Sequence, residues 1–553
     1  MSEEKLGSPE SQHVDRLTNQ FFRGRVTRAQ LFARATALGL SASALASLAA
    51  ACGGGSTAST GAAASGGTAG AIRRGGRLIV GERDGSAADS LSPFKVVTSI
   101  DGMRTRLLYD NLVEYNSAFE PQPRLAKEWE SSADQKQWTF RLVDNATFHD
   151  GTPVTADDVI STVNILLDEK SGASAGPALA FMKGSTMKKM DAHTVRFDLP
   201  KPYVDFPNVW GIDGTQIVPK NFDPNTADSA PNGSGPFKYV SFTAGQESLF
   251  VKNENYWREG YPYLDEIQLI DITDENARNN AFLGGQIDVS PNVDVASIAV
   301  LEASNAQVFR IPGGSFVDIA LVQDDVQFQD PRVREAFALA VDRQKVIDVV
   351  YLGNAHLGND HPISESYPHA PTDIPQREYD VERAKQLLAE AGHPDGINAT
   401  LYTSDAGFGM VNTAVVVAGS LKEAGINVKV QKWPPDTYWS EVWLKKNMYV
   451  SFWSQRPIAD VILSLGWSSG APWNEGHIND PELDRLVAQA REIPDPDERK
   501  RLYTEALQIV HDSAATIIPA FSDLVHVARK TVNIEKMPPP VSTPDFHSAW
   551  LSA

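Results

Sequence analysis

The chain has 553 residues, 42% of them hydrophobic and 22% charged, and a formal net charge of −20. That length exceeds the ~250–300 residues at which a single hydrophobic core stops growing, so two or more lobes are expected. The acidic balance, with no Lys/Arg stripe beyond the first 35 residues, argues against nucleic-acid binding, and the single cysteine excludes an intrachain disulfide.

The first 34 residues are polar, and between Arg16 and Arg34 the charges (Arg16, Arg23, Arg25, Arg28, Arg34) are all basic. An uncharged run of Ala, Ser, Leu and Gly over 35–51 follows and ends at Cys52. A basic lead, an apolar segment and small residues before a cut site describe an export signal, and the run is short for the ~20 residues a membrane span needs. Ala49-Ala50-Ala51-Cys52 resembles a bacterial lipobox, with Ala49 where leucine is usual, which makes Cys52 the expected lipid anchor; the competing reading is a small buried cysteine. Arg25-Val26-Thr27-Arg28 lacks two adjacent arginines, so the export route stays open between general and twin-arginine secretion. Residues 53–70 are Gly, Ala, Ser and Thr only and read as a flexible tether. Lipid plus tether leave a globular body at the outer face of the cell membrane, or in the periplasm.

The body opens with a strand at Arg77-Leu78-Ile79-Val80. Trp138, Phe140 and Leu142 alternate with Thr139, Arg141 and Val143, the period of two of a half-buried strand. His149-Asp150-Gly151-Thr152-Pro153 is turn chemistry, and Thr155 with Asp158 forms a capping box for a helix carrying Val159, Val163, Leu166 and Leu167 on one face. A strand over 194–199 and a Pro/Asn/Gly/Asp-rich passage over 219–236 come next. Asp330-Pro331 starts a helix with Val333, Phe337, Ala340 and Val341 inward. Helices over 380–391 and 411–424, stopped by Gly392 and Gly425, alternate with strands over 427–431 and 448–453. That alternation predicts an α/β lobe with a largely parallel sheet. Residues 481–511 read as helical and lead to a strand near 516–521; no internal repeat is visible.

The string from Trp138 to Val159, with Phe148-His149-Asp150-Gly151 and Pro153-Val154-Thr155-Ala156-Asp157-Asp158-Val159, resembles the signature of extracellular solute-binding protein family 5, the dipeptide- and oligopeptide-binding proteins of ABC importers. Leu142-Val143 departs from the leucine-arginine usual there. Tyr109-Asp110-Asn111-Leu112, Asn232-Gly233-Ser234-Gly235-Pro236-Phe237, Tyr256-Trp257-Arg258, Gly285-Gln286-Ile287-Asp288 and the run from Asp330 to Arg343 resemble further family segments. The resemblance spans roughly 75–550. It implies an α/β, two-lobed periplasmic-binding-protein-like fold with an extra subdomain, hinge-linked, with the ligand cleft between the lobes. The expected division is export signal 1–52, tether 53–74, first lobe 75–310 with an extra subdomain over about 117–225, second lobe 311–515, and a C-terminal return over 516–553. It also implies a monomeric, non-enzymatic receptor without cofactor that hands a small solute (peptide, opine, glycoside or similar) to an ABC permease.

Several motifs have plain structural readings. Gly172-Ala173-Ser174-Ala175-Gly176 fits the pattern of a nucleophile elbow but lacks the strand before it and the helix after it, so a small-residue loop is expected. His356, His361 and His369, with Asp360, have spacings that suit no helical ligand pair or tight ligand turn, and no metal is expected. His149-Asp150 is a turn rather than an acid–base pair, and Trp439 and Trp443, four apart, read as core packing.

The informative constellation is Trp453-Ser454-Gln455-Arg456 with Asp460, Trp467 and Trp473, after a strand end where crevices of α/β sheets open. Peptide-binding members carry Trp-x-x-Asp there, the aspartate pairing with the peptide's α-amino group. This chain has Arg456 in that place, so the charge is inverted, which favours an anionic or sugar-like solute. The bland alternative pairs Arg456 with Asp460 at i,i+4. Trp453, Trp467 and Trp473 are stacking walls or core, and Tyr109 joins them as a candidate contact from the family-like run. Two rival functions stay open, a surface-anchored hydrolase and a docking or chaperone lipoprotein with no small ligand.

Overall fold

A computed structural model describes residues 72–368, 370–371, 373–534 and 546–552. The expected export signal with Cys52, the tether up to residue 71, and His369 lie outside the described residues.

The N-terminal part begins with β1 (Arg77–Glu82) and α1 (Ser99–Leu108), capped by the Thr98 side chain, which accepts from the Asp101 N–H. A four-stranded antiparallel sheet follows, made of β2 (Ala126–Ser131), β3 (Gln137–Leu142), β4 (Thr186–Lys189) and β5 (Thr194–Asp198) in the order β2-β3-β5-β4. The alternation in β3 buries Trp138, Phe140 and Leu142, as its period of two predicts. Phe140 meets Phe197 and Phe206 edge-on at 5.6 and 5.8 Å. Between β3 and β4 lies α2 (Ala156–Leu167), with its Thr155/Asp158 capping box formed and Val159, Val163 and Leu166 buried.

Strands β6 (Phe237–Thr243), β7 (Glu247–Lys252), β8 (Glu266–Asp271), β9 (Val289–Ser290), β10 (Gln307–Leu321), β11 (Ile397–Ser404), β12 (Ile426–Trp433), β13 (Met448–Trp453) and β14 (Thr516–Ala528) join β1 in one large sheet. Its order is β12-β11-β13-β10-β14-β9-β1-β8-β7-β6. The sheet as a whole is mixed, while the expected largely parallel arrangement holds for β11, β12, β13 and β14, which all run the same way. Helices α3 (Pro331–Leu339) and α4 (Val381–Glu390) precede β11, which pairs parallel with β12 and β13 because helices α5 (Met410–Leu421) and α6 (Pro435–Glu441) return the chain between them. β10 runs antiparallel to β13 and to β14, since β10 leaves the N-terminal part and β14 re-enters it in the opposite sense. The β10–β14 register shifts between Ile311 and Ser315 and again between Val317 and Ile319.

The predicted helix over 481–511 is two helices, α8 (Pro481–Glu492) and α9 (Pro496–Ser513). Pro494 has no N–H to donate and disfavours a helical Ile493, and Asp495 restarts the helix by accepting from Glu498 N–H. With α7 (Ala459–Gly466), α8 and α9 bury a third hydrophobic cluster that includes Trp453, Trp467 and Tyr503.

Four of the family-like segments, those around Asp110, His149, Ser234 and Trp257, meet around one buried carboxylate. Asp110 Oδ1 accepts from Arg124 Nε (2.6 Å) and Tyr256 Oη (3.1 Å), and Oδ2 from Trp257 Nε1 (2.9 Å) and Ser234 Oγ (3.2 Å). His149 N–H donates to Gly233 O at 2.7 Å and Gly235 N–H to Leu108 O at 2.9 Å. A Cβ on Gly233 would stand 1.8 Å from Leu108 O, so this approach admits only glycine. The signature string therefore builds a joint in the scaffold, which is why it identifies a family and no ligand.

Candidate ligand-binding site

A cavity of about 940 Å³ opens between the N-terminal part and the segment after β13. One wall is the start of α1 with the loop around Ser174, Phe181 and Tyr203; the other is Ser454–Pro457, α7 and Trp473. Ser315, Asn292 and His526 close it from the sheet side. Its volume suits a small solute or short peptide.

Residues 454–456 are held from several directions. Gln455 N–H donates to Ser315 Oγ (3.1 Å), Gln455 Oε1 accepts from Gly314 N–H (2.6 Å), and Gln455 Nε2 donates to Ser366 Oγ (3.1 Å). Arg456 N–H donates to the Tyr367 hydroxyl at 2.9 Å. These bonds fix the backbone of Arg456 and aim its side chain at the cavity. The guanidinium carbon sits 5.8 Å from the centre of the Trp473 ring, and its buried Nε has no hydrogen-bond partner. Burial pushes the guanidinium below its ordinary pKa without discharging it at neutral pH. Among the described residues, no carboxylate lies within ion-pair distance of it.

Asp460 does not pair with Arg456. Its Oδ1 accepts from Arg491 Nη2 (2.8 Å) and Nε (3.0 Å), and its Oδ2 from the Tyr203 hydroxyl (3.2 Å). The competing reading of an i,i+4 pair is thus set aside: α7 turns Asp460 towards α8 and the N-terminal part, leaving Arg456 free to face the cavity. Asp205 and Arg499 add a second buried pair across the same seam, at 2.9 Å.

The other candidates divide. Trp473 is 36% exposed and lines the cavity. Trp453 is 3% exposed, with Gly466 beneath it, where a Cβ would stand 2.6 Å from its ring; it forms the edge of a smaller adjoining cavity. Trp467 is fully buried and donates to Thr516 Oγ1 at 3.2 Å, so the structure places it in the core. Tyr109 is likewise fully buried at the end of α1, away from the cavity lining. Trp439 and Trp443, expected in the core, both line the smaller cavity; Trp443 also packs against a core cluster as expected, whereas Trp439 is 37% exposed.

Ser174 lines the main cavity from a small-residue loop, and its N–H donates to Phe94 O at 2.9 Å. His149 Nε2 meets Gly235 O at 3.1 Å in its turn. Asp360 is occupied by Arg343 and Arg377 at 2.6 and 2.5 Å, and no group of three metal-ligating side chains occurs among the described residues. His526 carries no sequence signal, yet it lines the cavity; its Nδ1 accepts from Asn292 N–H (3.1 Å), which leaves the proton on Nε2. Burial lowers its pKa to about 4, so it is a neutral donor.

A two-lobed α/β protein with a solute-sized cleft at its seam is a binding protein of the periplasmic type. Residues 120–475 match the bacterial extracellular solute-binding proteins, family 5 (middle). Heme-binding protein A of Haemophilus influenzae is 28% identical over 448 residues, 75% of this chain and 82% of its own. Among solved structures, the ABC transporter-associated periplasmic binding protein DppA of Helicobacter pylori, in complex with peptide STSA, is 26% identical with a TM-score of 0.71, covering 87% of this chain and 98% of its own. AgaA of A. tumefaciens R10, in complex with agropinic acid, is 26% identical with a TM-score of 0.70, covering 86% and 99%. The chain belongs to the bacterial extracellular solute-binding protein family 5.

Proposed function

We propose that this protein is the capture component of an ABC importer, anchored outside the membrane through Cys52, and that its solute presents a carboxylate or similar anion to Arg456. The observation that carries the reading is the cationic side chain of Arg456, sunk in the cleft wall without an acidic partner while the neighbouring Asp460 is taken by Arg491. A half-buried cation in that state is costly, and an incoming anion removes the cost by two parallel N–H bonds, a charge-assisted contact of about 1.5–3 kcal/mol. Trp473 offers a face beside it, and His526 offers a neutral N–H. Peptide, opine and heme ligands of the relatives named above all carry carboxylates, which accords with such a contact. Capture then works by closing on the solute, with no bond made or broken.

The test is native mass spectrometry of residues 53–553 purified from the host's own medium, alongside Arg456→Met. A small anionic molecule that co-purifies with the wild type and is lost from the variant is the expected result. Retention of the same molecule by Arg456→Met overturns the assignment of Arg456. Failure of every peptide, sugar and carboxylate pool to shift the melting temperature overturns the transport reading.

A further inference from the structure

A second cavity of about 300 Å³ adjoins the main cleft, and Ser454, Arg456 and Trp473 line both. Its other walls are Trp439, Trp443, Phe452 and Trp453, with Glu475 at its base. The indoles stand nearly upright to one another: Trp439 against Trp443 at 82°, Trp443 against Trp473 at 71°, and Trp473 against Trp453 at 61°, with ring centres 5.6–5.9 Å apart. The rings thus meet edge-on instead of stacking on each other, and all four line the hollow. Trp439, Phe452 and Trp473 are 37%, 41% and 36% exposed, an unusual concentration of large aromatic surface around a hollow.

The base is acidic. Glu475 is 2% exposed, and its Oε1 accepts from Trp443 Nε1 at 2.5 Å. Asp318, fully buried on β10, lies beside it; burial raises the pKa of both carboxyls, and Glu475 raises that of Asp318 further.

We propose that this side cavity is a subsite for a methylated onium group, such as a quaternary ammonium, on the same solute whose carboxylate Arg456 holds. The π faces and the acidic base both favour a cation, and cages of aromatic rings suit one that is weakly hydrated. A primary ammonium would bring three N–H donors to mostly aromatic walls, where Glu475 Oε1 is already bonded to Trp443 and only Oε2, buried without a partner, is left at the base to accept. A methylated onium has no donor to satisfy. Arg456 already lies over the Trp473 face at the shared mouth, which shows that this ring accepts a cation. A zwitterion spanning the mouth would place its carboxylate on Arg456 and its onium end inside, separating like charges. The carboxylate half of this inference rests on the function proposed above; the onium half rests on the cage.

The experiment titrates residues 53–553 by calorimetry with 4-(trimethylammonio)butanoate and with 5,5-dimethylhexanoate, its uncharged isostere of the same shape and carboxylate. The wild type is expected to bind the zwitterion at least about tenfold more tightly than the isostere, the factor that ~1.4 kcal/mol supplies. Trp439→Ala, which touches only the side cavity, abolishes that preference, and Trp439→Phe keeps part of it. Arg456→Met weakens both probes. Equal affinity for the two probes, no measurable binding of the zwitterion, or a preference that survives Trp439→Ala in a folded variant overturns the onium subsite. If the isostere still binds and still depends on Arg456, the anion reading stands while the cage assignment falls. If neither probe responds to Arg456→Met, both fall.

Discussion

The seam between the two parts of the molecule contains a buried ion pair whose energetics can be worked from its surroundings. Asp205 and Arg499 are 8% and 9% exposed, Arg499 Nη1 donates to Asp205 Oδ1 at 2.9 Å, and Val204 N–H next to it donates to Arg491 O at 3.0 Å. Tyr203 beside them stacks on Phe181 with ring centres 4.1 Å apart, which keeps water out. Burial raises the Asp205 pKa even with Arg499 present. Arg499→Met removes the cation and strands the carboxyl, at a cost of about 3–5 kcal/mol for a broken buried pair. Asp205→Asn with Arg499→Met removes both charges at similar volume and is expected to cost at least ~2 kcal/mol less than Arg499→Met alone. In Arg499→Met the folded-state pKa of Asp205 rises further above its unfolded value. The unfolded chain then gives up the proton first, and stability falls as pH rises between the two values. The single variant should therefore lie closer to wild type at pH 5 than at pH 8. Urea unfolding of the single and double variants at both pH values measures this. A cost under ~1 kcal/mol for Arg499→Met, or a double variant no more stable than the single, refutes the reasoning and makes the seam effectively wet.

Glu82, fully buried with one oxygen unpartnered, has its pKa raised from 4.5 to about 8 by burial, with Asp84 adding to the effect. Its contribution to stability is lost as pH rises from about 4.5 to about 8, with a ceiling on the order of 5 kcal/mol. Glu82→Gln should gain on the wild type between pH 5 and pH 8 in thermal melts, and an unchanged gap would rule the burial effect out. Asp110→Ala leaves four donors, the Arg124 cation among them, without their shared acceptor and should cost about 3–5 kcal/mol in urea unfolding. Near-neutral behaviour there would mean that water replaces the carboxylate in the joint.

What local pattern could reveal, it did. The alternation in β3, the capping box of α2 and the Asp330 cap with Pro331 are short-range chemistry, and each takes the form its residues dictate. Partners far along the chain were another matter. Asp460 has Arg456 four residues before it but bonds Arg491, thirty-one residues after it, because α8 folds back against α7. Tyr109 and Trp467 carry the composition of ligand contacts, yet the packing of α1 and α7 turns them inward. Trp439 and Trp443 show the helical spacing of core residues, yet α6 ends at Glu441, and only Trp443 packs against the core while Trp439 stays 37% exposed. Periodicity says which side chains share a face and is silent on what that face meets. The direction of β10 and β14 likewise depends on the whole path of the chain, so the mixed sheet left no local trace.

The two strands that carry the chain across the seam, β10 and β14, are bonded to each other, so neither can stretch or slide alone. Any rearrangement of one part against the other has to be taken up as torsion of a two-stranded ribbon, a single soft coordinate in place of two independent tethers. The ribbon's ladder is interrupted between Ile311 and Ser315, where a Cβ on Gly313 would stand 2.3 Å from Ser522 O. Twisting there sacrifices little ladder bonding. Gly314, in that gap, donates to the side chain of Gln455, the residue before Arg456. The compliant point of the ribbon is thus one hydrogen bond from the residue that precedes Arg456, and a load on that segment is felt directly at the place most able to yield.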